Sequence, residues 1–447
     1  MKKKILISFL VLLTCFAYTG CGENKNTENN NLTSIPEASI EEREISEAED
    51  IVNEEVNEEV NENEDLDPEF NVDYEEEGDE VIKENPSFSY NHNIDLSATI
   101  IDELQKTEKN SNVTLSETSL NYALGMIYEG SAGDTKNQLY DYISREYKLT
   151  SDDEISDILK NGMEDYKNRD DVQINIANSL WINDGFNVKD TYVKTLNDRF
   201  MAYSEIVDMS GPETVNLINN WCKDATEEKI ESIVKKEDLQ NAETILVNAL
   251  YFNGNWKEEF KSDAIYEGTF NNSDGTTKDV TMLRGSVNGY LQNDKAEGFV
   301  KFYNDDKVAY IGILPKTAGE YNLSDLDINS LLSSYSNKEV EIALPKYRVE
   351  TNVQLQDVLR TNGLDSLFDG ADFSNISEES LAINKIIQKT YIDVNEKGTE
   401  ASAATAVIMQ KGIDINKTKI VLDRPFTYLI YDTQNNEILF LGKLNNL

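Results

Sequence analysis

The chain has 447 residues, 39% apolar and 28% charged, enough for one large domain or two ordinary ones. With 84 acidic residues against 41 basic ones its net charge is −43, which argues against a nucleic acid as partner, because phosphate binding needs clustered Lys and Arg. A single His and three Cys narrow the chemistry further: a Ser-His-Asp triad would have to use His92, a multi-ligand Cys/His zinc site is not available, and no cofactor is implied.

Residues 1–21 read as a targeting segment. Lys2-Lys3-Lys4 form a basic start, and the apolar run 5–18 is too short and wrongly flanked for a membrane span. Ala17-Tyr18-Thr19-Gly20-Cys21 resembles the lipobox of bacterial lipoproteins, with Tyr18 where Leu is usual. That resemblance implies a lipid on Cys21 and a chain anchored outside the bacterial cell membrane; the alternative is a secretory signal with an incidental Cys and a secreted product. Residues 22–85 carry 25 acidic and 3 basic side chains and almost no aromatic ones, so they cannot offset the entropy of ordering and read as a disordered, solvated tether. Cys15 and Cys21 belong to the leader, which leaves Cys222 as the one thiol of the folded part, with no intrachain disulfide there.

The folded domain spans 86–447. Apolar spacing predicts a helix over 96–104 with Asp95 as its cap, and Asp134 is placed to cap a helix through Leu139 and Ile143. Residues 173–182 predict a strand, and 218–230 an amphipathic helix that carries Cys222 as a small core residue. The apolar run 244–256 predicts a central strand covered on both faces, inside which the amide of Asn248 must find a buried partner. Residues 267–314 are strand-rich, 344–350 read as a strand, and 426–431 with 437–444 as a closing pair.

The stretch Glu396-Lys397-Gly398-Thr399-Glu400-Ala401-Ser402-Ala403-Ala404-Thr405-Ala406-Val407 follows a strand-like alternation at 391–395. Gly398 is expected to free the backbone at a hinge. The small side chains after it buy too little burial for a core element. Taken alone they fit an Ala-rich helix or a loop; they also suit a segment that can slip between two strands without forcing bulk past packed neighbours.

Several of these stretches, quoted as they stand, resemble the serpin family from about residue 88 to the end. They are Asn112-Val113-Thr114-Leu115-Ser116-Glu117-Thr118-Ser119-Leu120, Glu129-Gly130-Ser131-Ala132-Gly133-Asp134-Thr135, Leu246-Val247-Asn248-Ala249-Leu250-Tyr251-Phe252-Asn253-Gly254-Asn255-Trp256, Leu344-Pro345-Lys346-Tyr347, Asp423-Arg424-Pro425-Phe426 and the small-residue stretch. Glu117 replaces the family's usual Pro, and Gln388 the His of its His-Lys pair. The resemblance implies an α+β fold of mostly antiparallel sheets with surrounding helices and an exposed reactive loop in a metastable native state. It implies Ser116 and Ser119 beneath the centre of the main sheet, with Ser116 and Gln388 among the partners of Asn248. It implies a loop hinge at Glu396, Gly398, Thr399, Glu400, Ala401, Ser402, Ala403 and Ala404. The family's spacing from the hinge Gly398 puts the residue before the reactive bond at Gly412, which would fill a specificity pocket poorly; because the loop to Pro425 is longer than is usual, the reactive bond is read as Lys411-Gly412, with Gly412-Ile413 as the next choice and Met409-Gln410 after it.

The function so implied is suicide inhibition of a serine protease, trypsin-like because of Lys411, with cysteine proteases also in range, by a monomer; a non-inhibitory surface binding module is the alternative. No nucleophile elbow, P-loop, zinc-protease helix or dinucleotide fingerprint speaks for an enzyme.

Overall fold

The computed structural model describes residues 94–107, 109–147, 149–399 and 417–447. The described chain starts with α1 (Ile94–Thr107), a short strand β1 (Val113–Leu115) and α2 (Glu117–Gly130). Ser116 caps α2, its hydroxyl accepting from the Ser119 amide at 3.1 Å. Glu117 takes the first helical position, where Pro is common and where an acid suits the positive end of the helix dipole; its carboxylate accepts from the Ser97 hydroxyl at 2.6 Å. Asp134 is not a cap: α3 (Gly133–Tyr147) starts before it, at Gly133. The described part of α1 begins at Ile94, so the cap expected at Asp95 falls at the edge of the described residues.

Next come α4 (Asp152–Lys167), β2 (Val172–Asn183), α5 (Asp190–Phe200), β3 (Tyr203–Val207), α6 (Thr214–Ala225), α7 (Lys236–Leu239) and β4 (Thr244–Asn255). Helix α6 stops five residues short of the predicted end at Ile230. The Thr226 hydroxyl donates to the Cys222 carbonyl (2.8 Å) and accepts from the Ile230 amide (3.1 Å), while Glu227 and Glu228 turn left-handed at φ 53° and 63°.

The rest is β5 (Ile265–Asn271), β6 (Thr277–Gln292), β7 (Ala296–Phe302), β8 (Val308–Pro315), α8 (Ile328–Ser333), β9 (Ser336–Pro345), β10 (Tyr347–Gln354), α9 (Gln356–Thr361), β11 (Lys385–Val394), β12 (Gly398–Thr399), β13 (Lys419–Val421), β14 (Phe426–Asp432) and β15 (Glu437–Leu444). The stretch 344–350, read from sequence as one strand, is two. It breaks at Lys346, whose amide donates to the Thr281 carbonyl (2.8 Å), and β9 and β10 join different sheets.

Among the described residues one sheet runs β1-β15-β14-β8-β7-β6-β9-β13 with β5 alongside β6, and the other runs β10-β11-β12-β4-β2-β3. Most pairs are antiparallel; β11–β4, β2–β3 and β13–β9 are parallel. Strands β14 and β15 form the expected hairpin.

The uninterrupted apolar run of β4 is explained by what covers it. Leu246, Leu250 and Phe252 enter the main core, while Ile245, Val247 and Ala249 enter a second cluster with Trp181, Ile218 and Cys222 beneath α6. Burial pushes the Cys222 thiol up to about 12 against the pull of Lys389, so this residue packs as a core side chain rather than a nucleophile.

Candidate functional site

Strands β11 and β4 pair directly from Lys385↔Ile245 to Tyr391↔Tyr251. Beyond Tyr391 and Tyr251 they part, and β12 fills the gap. Thr399 lies opposite Val394 on one side and Gly254 on the other, and Gly398 lies opposite Asn255. The chain leaving β11 has therefore doubled back, and its first two residues already form a strand between β11 and β4, antiparallel to both.

The turn that permits this is tied down along its length. The Asn395 amide donates to the Gly398 carbonyl (2.9 Å), the Trp256 amide to the Lys397 carbonyl (2.7 Å) and the Phe260 amide to the Glu396 carbonyl (2.9 Å). The Trp256 indole donates to the Asn395 carbonyl at 2.9 Å. Glu396 pairs with Lys346. Burial alone would raise the Glu396 carboxyl, but the hydrogen bond and charge of Lys346, together with a backbone amide and the charge of Lys397, hold the group below its ordinary value.

Thr399 is fully buried, and its hydroxyl lies 2.6 Å from that of Tyr303. Gly398 was expected to supply backbone freedom, and the structure assigns it another role. Its backbone is not left-handed; a Cβ there would lie 2.1 Å from the Gly254 carbonyl oxygen and 2.8 Å from the Asn255 Cα. It is glycine because two strands approach too closely for any side chain.

A second constellation lies further along the same strands. Asn178, Asn248 and Gln388 occupy one rung across β2, β4 and β11. The Asn248 amide nitrogen donates to Asn178 Oδ1 (2.6 Å), the Ser119 carbonyl (2.9 Å) and Ser119 Oγ (2.5 Å). Gln388 Nε2 donates to Asn248 Oδ1 (2.7 Å) and the Ser116 carbonyl (2.9 Å), and Gln388 Oε1 accepts from the Ser116 amide (2.8 Å). The sheet is thus fastened to the first turn of α2 by amides, all of them buried. One detail corrects the resemblance: the serine bound by Asn248 is Ser119, while Ser116 is held by Gln388.

An unmatched amide in such a place costs about 1–3 kcal/mol, so loss of Asn248 or Gln388 would strand the groups they bind; Asn178 Nδ2 already lacks a partner among the described residues. Nothing in this row of amides titrates near neutral pH, since Gln stands where an imidazole would.

Two residues of these sites escaped the sequence reading. Asn178 sits, beside Ser179, at the start of the apolar end of β2, and the reasoning applied to Asn248 would have pointed to it. Tyr303 carries no local signal, because its partner is 96 positions away. The remaining hinge positions Glu400, Ala401, Ser402, Ala403 and Ala404, the reactive-bond positions Lys411, Gly412 and Ile413, His92 and the lipid position Cys21 lie outside the described residues.

The family model described as serpin (serine protease inhibitor) matches residues 91–447. The chain is 30% identical over 351 residues to an uncharacterized serpin-like protein of Thermococcus kodakarensis, covering 75% of this chain and 81% of that one. It is 31% identical over 353 residues to Iripin-3 of Ixodes ricinus, covering 75% and 89%. The native-state crystal structure of the thermophilic serpin tengpin aligns with a TM-score of 0.72 at 27% identity, covering 81% of this chain and 95% of that one.

Proposed function

The chain belongs to the serpin family, and from that premise we propose that it is a suicide inhibitor of serine proteases, trypsin-like ones first, with cysteine proteases within reach. The protease nucleophile attacks the Lys411 carbonyl, the Gly412 amine leaves, and an acyl-enzyme forms. Before water cleaves that ester, residues 399–407 add to the sheet between β11 and β4 and carry the protease away from its working geometry. The trap is kinetic, drawing on a native state that is not the most stable arrangement of the chain.

What supports this reading is the place of Gly398 and Thr399. The root of the loop is already a strand, antiparallel to both neighbours, at the end of the gap that the rest would have to enter. Extension must part β11 from β4 over 385–391, including the rung Gln388↔Asn248, so the amide row would govern how readily the sheet opens. We place the molecule on the outer face of a bacterial membrane, held by a lipid on Cys21 and spaced from it by the acidic tether, where it would guard surface proteins against proteolysis.

The test is incubation of the purified protein with trypsin and, separately, chymotrypsin, followed by denaturing gels and mass spectrometry of the released C-terminal peptide. A covalent complex with a peptide starting at Gly412 is expected. A complex with another start keeps the mechanism and moves the bond. Cleavage by both proteases with no complex refutes inhibition of this class and favours a binding module.

A further inference from the structure

Resting on the loop-insertion reading, we propose that Tyr303 is a positioning residue for inhibition: its hydroxyl latches Thr399 into the sheet before any protease arrives, and so sets how reliably insertion outruns hydrolysis.

Two observations make the latch. Thr399 is an alcohol placed at a fully buried point between two strands, where an unmatched hydroxyl is unfavourable, and the Tyr303 hydroxyl meets it at 2.6 Å. Tyr303 itself is rigidly held. Its ring stacks on Trp256 at 4.6 Å and 16° and meets Phe252 edge-on at 4.8 Å. Its amide donates to the Val308 carbonyl (2.9 Å), and the following amide, Asn304, donates to the Asn255 carbonyl (2.9 Å).

Space for the reach is made by a missing side chain, since a Cβ on Gly254 would lie 3.0 Å from the Tyr303 ring. The Trp256 that stacks on Tyr303 also grips the hinge turn through its amide and its indole. Ring, indole and turn therefore form one preset socket, and the hydroxyl pair is the part of it that acts on Thr399 itself.

The chemistry fixes the direction of the effect. The latch makes the first rung of the inserted strand in advance, so insertion starts from an ordered root rather than a searching one. Without it the root frays, insertion is slower, and the acyl-enzyme hydrolyses more often. Cleavage of the loop, which depends on the reactive bond, is unaffected.

The test uses the full chain and Tyr303→Phe, which keeps the ring stacking and removes one oxygen. Hydrogen exchange over residues 395–399, followed by mass spectrometry, is expected to speed up by about five- to tenfold, in line with the loss of one buried hydrogen bond. The number of inhibitor molecules consumed per protease trapped is expected to rise at least about twofold, with an unchanged rate of loop cleavage. Thr399→Val is expected to behave like Tyr303→Phe, Thr399→Ser like the wild type, and the Tyr303→Phe/Thr399→Val double variant no worse than either single one.

Wild-type exchange over 395–399 in Tyr303→Phe, or additive losses in the double variant, overturns the latch. The two readings fail separately. Faster exchange in a chain whose wild type traps no protease leaves the latch standing and removes the inhibitor; trapping with unchanged exchange does the reverse.

Discussion

Gly398→Ala isolates the hinge seat from everything else. The new methyl would sit 2.1 Å from the Gly254 carbonyl oxygen and 2.8 Å from the Asn255 Cα. Both are backbone atoms of a strand fixed on its other side by pairing with β2, through Val172↔Gly254. Strand β4 cannot yield, so β12 must leave. Leaving gives up the Tyr303–Thr399 contact and the Trp256–Lys397 hydrogen bond and re-exposes Thr399.

At about 1 kcal/mol net for each buried hydrogen bond, with a comparable contribution from burial, the seated state loses roughly 2–4 kcal/mol. That shifts its population by about two powers of ten. The main core is untouched, so the melting temperature should hold within about 3 °C. The assay is the yield of covalent complex with trypsin, run beside hydrogen exchange over 395–399. We expect exchange to rise to the rate of a free segment and the protein to become mainly a substrate. Wild-type complex yield with unchanged exchange would refute the reasoning, because it would mean that the seat tolerates a side chain or that insertion does not begin there.

Thr399→Arg should also convert the proposed trapping into plain cleavage, since a guanidinium cannot occupy a fully buried seat; covalent complexes at wild-type yield would contradict insertion of this segment. Because the row Asn178–Asn248–Gln388 holds no group that titrates near neutrality, the rate of sheet opening, corrected for the protease, should be flat between pH 5 and 8. Gln388→His should introduce a dependence over that range, read as the rate of trapping against pH.

Glu437 is a separate pH-dependent element. Burial first, and Asp432 second, push its carboxyl up to about 7, where it accepts from the Tyr166 hydroxyl at 2.7 Å. The raised value means the folded state binds this proton more tightly. Its contribution to stability is therefore fullest below the ordinary value near 4.5, declines as pH climbs towards 7, and is flat above. The span is on the order of 3 kcal/mol. Glu437→Gln should remove that slope from urea midpoints measured between pH 4.5 and 8; an unchanged slope would exclude Glu437 as its source.

Much of the fold was legible in the residues because both of its signals are local. The run Leu246-Val247-Asn248-Ala249-Leu250-Tyr251-Phe252 shows its double coverage in its composition, since every side chain of a strand with two covered faces must be buried. The hairpin 426–444 is equally local. The errors lie where one specific contact overrules periodic preference. Helix α6 had the periodicity to reach Ile230, but Thr226 turned its hydroxyl to the Cys222 carbonyl. The stretch at Lys346 had the alternation of one strand, but two sheets claim its halves. Gly398 reads as a flexible point from sequence because glycine usually is one; only the carbonyl of Gly254 shows that it is a tight one.

By itself the sequence determined the strand at 173–182, the doubly covered strand at 244–256 and the closing hairpin, which amide needed a buried partner, and which stretch has small side chains throughout. The tertiary structure decided what those residues meet. Asn248 binds Ser119 rather than Ser116, Gln388 closes the row, and Thr399 lies under Tyr303. The reason is that burial and periodicity are properties of neighbours along the chain, whereas a hydrogen bond between residues 96 positions apart exists only once both strands have been placed.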